Sequence, residues 1–333
     1  MPPRALSTDL LRQPRTYVAL AAGAALAAGL SGYAAKRFTD ALGARPNPAA
    51  SYDEARERFT RLLAAEAPGL NPHCHSQLLT HDGPTDRVFV LFHGMSNCPC
   101  QFGRLGEMLH ARGHTVFIPL MPRHGLADPH TDALRYLRAE DLRNYADASV
   151  DLARGLGREV VVAGLSAGGT VAAWIAQHRP DVARAVLIAP SLGVGGRTRR
   201  VVSALAMTAF LRLPNLQTDR IVPFKDPPDH CYRGFSTRAL GEVLRMAGDV
   251  VRSAAVQKPA VQSVAITTNR NDAAVNDLLT WQLVGLWRVR GLERFEAYEF
   301  GKEVGVEHDL VDPDQPYQRV DVVYPILLDL IAR

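Results

Sequence analysis

Glu159-Val160-Val161-Val162-Ala163-Gly164-Leu165-Ser166-Ala167-Gly168-Gly169 joins an apolar run to a glycine-flanked serine and the start of a helical pattern. The run Glu159 to Ala163 reads as a buried strand, and Ala167 to His178 reads as the helix that follows it. A strand that turns directly into a helix lifts the serine Oγ above the sheet. Glycines two residues before and two after it remove side chains that would block so sharp a turn. Backbone N–H groups at the helix start then point outward, where they can stabilise a developing oxyanion.

The same alternation extends in both directions. Upstream lie a strand, Val88 to Phe92, an amphipathic helix, Gln101 to Arg112, a second strand, Thr115 to Leu120, and a helical stretch from Ala139 to Leu156. Downstream come Val182 to Ile188 as a strand, a helical Ser236 to Val256, strands at Val261 to Thr267 and Arg294 to Phe300 with a helix at Leu278 to Arg288 between them, and a closing helix from Val320 to Ile331. Short apolar strands alternating with helices predict an α/β fold, a mostly parallel sheet covered on both faces. Pro325 obscures where the last helix begins. Residues 191–235 interrupt the alternation with Gly193, Gly195, Gly196, several prolines and an apolar stretch from Val201 to Leu213. They read as a cap inserted between strands, able to line an acyl or alcohol pocket and shield it from water.

With 333 residues, 47% of them hydrophobic and 22% charged, the chain has globular composition and length for one sizeable core. Its 38 basic and 34 acidic residues are interspersed, so no basic block points to nucleic acid. The N-terminus departs from the rest. Arg4, Arg12 and Arg15 precede an uncharged, alanine-rich run, Tyr17 to Leu30, the pattern of an export signal with Gly32 and Ala34 as small residues before a cleavage site. Left uncleaved, residues 16–35 are long enough, at about 20 residues, to cross a bilayer, which implies membrane association through that segment. The catalytic domain is then expected outside the cytoplasm, exported or anchored, although Lys36 and Arg37 oppose that orientation. Residues 1–43 are read as signal or anchor and linker and residues 44–333 as the domain, whose opening stretch, Ala44-Arg45-Pro46-Asn47-Pro48, is linker-like and leads to a helix from Tyr52 to Ala65.

Four cysteines, Cys74, Cys98, Cys100 and Cys231, permit disulfides in an exported chain. Cys98 and Cys100 flank only Pro99, too close for an easy mutual bridge, so Cys74 is the better partner. His73-Cys74-His75 invites a zinc reading, but adjacent side chains rarely reach one metal together.

A serine hydroxyl is a poor nucleophile at neutral pH. Ser166 needs an imidazole to take its proton and a carboxylate to orient that imidazole. The loop after Val261 to Thr267 ends in Asp272, and the loop after Arg294 to Phe300 carries His308 before the last helix; these are the expected acid and base. Asp277 and Asp309 compete for the acid, and His124 for the base. The oxyanion hole is assigned to the N–H groups of Ala167, just after the nucleophile, and Met95, in the loop His93-Gly94-Met95 after an earlier strand; His93 is read as a loop brace.

His93-Gly94-Met95, Pro122-Arg123-His124-Gly125, Gly164 to Gly169 and the Asp272 and His308 loops together make the chain, from about Arg87 to its C-terminus, resemble the α/β-hydrolase superfamily. The likeness is strongest to its bacterial serine esterases and monoacylglycerol-lipase-like branches. The resemblance implies a Ser166–Asp272–His308 triad that works without cofactor or metal on a small-molecule acyl ester. The family more often has glycine where this chain has Arg123. The same triad serves amidases, thioesterases and acyltransferases, and a non-catalytic binding protein on this scaffold is the alternative from another class.

Overall fold

The computed structural model describes residues 41–195, 200–220, 224 and 226–333. Strands β1 (Gln77–Leu79), β2 (Thr85–Phe92), β3 (Thr115–Ile118), β4 (Gly157–Leu165), β5 (Arg184–Ile188), β6 (Ser263–Asn269) and β7 (Arg294–Phe300) form one sheet in the order β1-β3-β2-β4-β5-β6-β7. Only β1 runs antiparallel, against β3; every other pairing is parallel. The register sets Phe92 opposite Gly164 and Leu165 opposite Ile188, so β2, β4 and β5 end together at one edge.

Side chains alternate between the two faces along each strand, and each face supplies one core. Val88, Val90 and Phe92 of β2, Val160 and Val162 of β4 and Leu187 of β5 pack with helices α1 (Tyr52–Ala65), α3 (Ala139–Leu156) and α4 (Ala167–His178). Phe89, Leu91, Val161, Ala163, Val186 and Ile188 face the other way, onto α2 (Cys100–His110) and the C-terminal helix. The near-continuous apolar strands therefore reflect burial on both sides.

The expected elements are present, with ends shifted by a few residues, and one strand was not foreseen. β1 is three residues long, too short to show a period, and it forms because the chain returns along the edge of β3. Between β5 and β6 lie α5 (Arg200–Arg212), within the apolar stretch expected of the cap, and α6 (Thr237–Val256), whose Ser236 hydroxyl accepts the Ala239 N–H at the helix start. Val202, Leu205, Leu213, Leu216 and Phe224 of this insertion are exposed. After β6 come α7 (Asp277–Val289) and, closing the chain, α8 (Val320–Ala332), which continues through Pro325.

The stretch read as a linker lies against the domain. Leu42 is buried, its carbonyl accepts the Trp174 indole N–H at 2.8 Å, and its N–H donates to Asp249 at 3.1 Å. The Arg45 and Asn47 N–H groups donate to Asp147 and Asp151 of α3. Prolines at 46 and 48 favour extended backbone, and the α3 carboxylates supply the acceptors that such a segment cannot find within itself. The export or anchor segment expected at residues 16–35 lies outside the described residues. Among the described residues, no helix is long and apolar enough to cross a membrane.

Candidate active site

β4 ends at Leu165 and α4 begins at Ala167, leaving Ser166 alone at the turn with φ 57° and ψ −114°. This backbone is strained for a residue with a Cβ, and tight packing sustains it. The Ser166 N–H donates to the Ile188 carbonyl at 3.0 Å, while its own carbonyl accepts from Thr170 and Ser191. The glycines are needed for space. A Cβ on Gly164 would lie 2.1 Å from the Gly168 carbonyl oxygen, and one on Gly168 would lie 2.0 Å from that of Phe92. Gly168 thus lets α4 approach the end of β2, drawing the two halves of the site together.

The loops after β6 and β7 bring Asp272 and His308 into contact, with His308 Nδ1 2.6 Å from Asp272 Oδ2. The other Asp272 oxygen accepts the Ala274 and Val275 N–H groups at 2.8 and 3.3 Å. Burial alone would raise the Asp272 carboxyl, but the His308 hydrogen bond and charge, with those two amides, hold it below the usual carboxylate value. For His308, burial favours the neutral ring, yet the Asp272 hydrogen bond and charge outweigh it and lift the imidazole above its ordinary value. Among the described residues, no hydrogen bond joins His308 to Ser166.

Of the competing residues, His124 is buried against His93 and Tyr232, with its Nδ1–H donated to the Pro122 carbonyl. Burial pushes its imidazole down to about 4, so it remains a neutral packing group at physiological pH. Asp309 points away from the His308 contact, into a network with Asn97 and Gln101. Asp277 begins α7.

The Met95 N–H is aimed indirectly. His93 is buried, and burial together with the nearby His124 pushes its imidazole down to about 3, so the ring is neutral. Its Nε2 accepts the Met121 N–H at 2.9 Å, which leaves Nδ1 as the donor, 2.9 Å from the Gly94 carbonyl oxygen. That carbonyl belongs to the same planar peptide as the Met95 N–H, so holding the oxygen on one side directs the hydrogen to the other. Among the described residues, neither the Met95 nor the Ala167 N–H has an acceptor within the chain.

Two side chains that join the loops of the site carry no mark in the sequence. Asn269, at the end of β6, donates its side-chain N–H groups to the Val306 and Glu307 carbonyls at 2.9 and 2.7 Å, fixing the approach to His308. Gln101 bridges Gly94 and Asp309. Their partners are distant in sequence, and no local motif marks them. Arg123 has φ 70°, the left-handed region that glycine enters without steric cost, so the backbone here fits the glycine that the resemblance implies at this position.

Cys74 and Cys98 form a disulfide, tying the segment before β1 to the loop after β2. The zinc reading of His73-Cys74-His75 thus loses its thiolate. Elsewhere, His230, Cys231 and Asp312, and likewise Cys100, His230 and Asp314, bring ligand-type atoms within 4.8 Å of one another. Both groups share the His230 imidazole, whose Nε2 is 2.9 Å from Asp312. Burial lowers His230, but hydrogen bonds to Asp312, Cys100 and Cys231 raise it to about 12, the behaviour of a charged imidazolium paired with a carboxylate. A cleft of about 780 Å³ lies between α1, α3 and the loop after β3, lined by Leu62, Phe117, Met121, Arg123, His124 and Tyr145. Ser166 and His308 do not line it, so its size is no guide to where chemistry occurs. A smaller one of about 180 Å³ lies under α5, bounded by Leu192, Met207, Leu244 and Leu279.

Residues 89–320 match the profile of the Alpha/beta hydrolase family. Over 110 residues the chain is 32% identical to a pyrethroid hydrolase of Sphingobium wenxiniae, an alignment spanning 31% of this chain and 37% of that protein. Among solved structures it resembles a metagenome-derived lipolytic enzyme, with TM-score 0.57 and 16% identity over 79% of this chain and 99% of the other. It also resembles the monoacylglycerol lipase of Paleococcus ferrophilus, with TM-score 0.56 and 18% identity over 78% and 98%. At such identities these are likenesses of fold.

Proposed function

The chain belongs to the alpha/beta hydrolase family, and on that premise we propose that it is a serine hydrolase cleaving carboxylic esters through an acyl-Ser166 intermediate. The observation that carries this reading is the pairing of His308 with Asp272 at 2.6 Å, on loops leaving the same sheet edge at which Ser166 is held in a strained turn.

In this mechanism Asp272 keeps the proton of His308 on Nδ1, leaving Nε2 as the base. Ser166 Oγ attacks the ester carbonyl carbon as its proton passes to Nε2, a contact that tightens when substrate is bound. The oxyanion is met by the Met95 and Ala167 N–H groups. Collapse of this intermediate breaks the bond to the alcohol, which leaves with the proton from His308. Water then gives a proton to His308, attacks the acyl carbon and restores Ser166. Every proton is returned and no cofactor is required.

The exposed apolar residues of the insertion, Val202, Leu205 and Leu213 among them, favour an uncharged acyl group of short or medium length. The N-terminal apolar segment supports export, or anchoring through residues 16–35, with the hydrolase domain outside the cytoplasm. N-terminal sequencing of the mature protein checks this: intact Met1 or Pro2 on a membrane-bound chain excludes a cleaved signal.

Fluorophosphonate labelling tests the chemistry. The wild-type protein is expected to label, and Ser166→Ala to abolish labelling. His308→Ala should slow ester turnover by about 10⁴-fold or more. A folded wild-type protein that stays unlabelled overturns the proposal. Labelling combined with failure on p-nitrophenyl esters of every chain length redirects it to an amide, thioester or acyl-transfer substrate.

A further inference from the structure

We propose that Gln101 is a positioning residue that locks the oxyanion loop to the loop bearing His308, an inference that rests on the serine-hydrolase reading. Gln101 is buried in the first turn of α2. Its Oε1 accepts the Gly94 N–H at 2.8 Å, and its Nε2–H donates to Asp309 Oδ2, also at 2.8 Å. An N–H at one end demands the amide oxygen and a carboxylate at the other demands the amide nitrogen, so the partners fix the orientation of the amide.

Both ends lie beside the chemistry. A Cβ built on Gly94 would sit 3.6 Å from the Ser166 Cβ, and Asp309 is bonded directly to His308 along the chain. His93 holds the peptide after Gly94 by its oxygen; Gln101 holds the peptide before Gly94 by its N–H. With both peptides pinned, the Met95 N–H has one direction, and that direction is referred to the histidine loop by a single amide. Glutamine is the residue type that meets both demands, since it offers an acceptor and a donor on one terminal group. Methionine offers neither, and glutamate offers a donor only while protonated.

Asp309 is built to be the far anchor. Its Oδ1 accepts the Val311 and Asp312 N–H groups, and its Oδ2 accepts from Gln101, Gln315 and Asn97. The titratable groups facing it are His308, Asp312 with its partner His230, Tyr317, Tyr324 and Cys231. Burial and the Asp312 charge push the Asp309 carboxyl up, while these five N–H donors favour its ionised form.

Two near-isosteric variants of the full chain test the assignment. Gln101→Met is expected to lower kcat by about 10- to 100-fold with little change in KM, because an oxyanion donor is misaimed while the substrate pocket is untouched. Gln101→Glu carries a signature that simple loss of packing does not produce. The introduced carboxyl group and Asp309 meet both demands only while they share one proton, so the variant's activity should follow wild type at acid pH and fall as pH rises and that proton is lost, turning a sigmoid profile into a bell. A Gln101→Met protein within twofold of wild-type kcat, or a Gln101→Glu profile superimposable on wild type, overturns the inference. Fluorophosphonate labelling of wild type separates the two levels: an unlabelled wild type removes the serine-hydrolase reading and this inference with it, whereas a labelled wild type with unaffected Gln101 variants removes this inference alone.

Discussion

At Asp272 the expected consequences of the geometry are largest. Its carboxylate both orients His308 and raises it, so Asp272→Asn should lower kcat by about 10³- to 10⁴-fold. The base must be unprotonated to act, and activity in wild type should therefore rise with pH through a midpoint above the ordinary imidazole value of 6.5. Removing the negative charge lowers that midpoint, so the residual activity of Asp272→Asn should reach its plateau at lower pH than wild type. A pH–rate profile of both proteins checks the sign; a midpoint that stays put or moves up contradicts the pairing. Ser166, Asp272 and His308 were readable as candidates because chain order relative to strands is a local property. What selected Asp272 from among nearby acids is the approach of two loops 36 residues apart, a contact that no one-dimensional pattern displays.

Among the elements, the join between β4, α4 and β2 is the least forgiving. A methyl group added at Gly168 collides with the Phe92 backbone oxygen, which sits in a strand and cannot step aside. Gly168→Ala should therefore destabilise the fold by about 3 kcal/mol, the upper part of the range for overpacking, and denaturant unfolding will measure it. The loop before α2 has a different restraint. Cys74→Ser removes a bridge closing a separation of 24 residues, a loss expected to cost about 3 kcal/mol through the unfolded chain, with the same loss on reducing the wild type. The helices α1 and α3 were legible to the residue through their helical spacing, and α4, buried on all sides, through the serine turn that starts it. β1 was not legible, since three residues carry no period and only the neighbouring β3 makes them a strand.

In the molecule as a whole, a buried charge cluster ties distant parts together. Arg179, fully buried just beyond α4, pairs with Asp147 at 2.8 Å, Asp151 at 2.6 Å and Asp181 at 2.8 Å. Asp147 and Asp151 also accept the Arg45 and Asn47 N–H groups, so the same carboxylates dock the segment that precedes α1. Arg179→Met leaves these acids without their cation, and a loss of about 3–5 kcal/mol is expected, read as a lowered midpoint in denaturant. The prolines and polar residues of the 44–48 stretch signal a loop. Its docking depends on acceptors presented by a helix 102 residues away.

The sequence by itself determined the α/β alternation, the turn at Ser166 and the chain order of the candidate serine, carboxylate and histidine, because strand burial, helix periodicity and glycine's steric freedom act over neighbouring residues. Tertiary structure settled the contact of Asp272 rather than Asp277 or Asp309 with His308 and the bridge from Cys98 to Cys74, and it alone decided how His93 and Gln101 hold the peptides on either side of Gly94 and how the segment around Leu42 to Asn47 docks on Trp174, Asp249, Asp147 and Asp151. Those outcomes depend on hydrogen bonds and contacts between segments that only the closed sheet brings within reach.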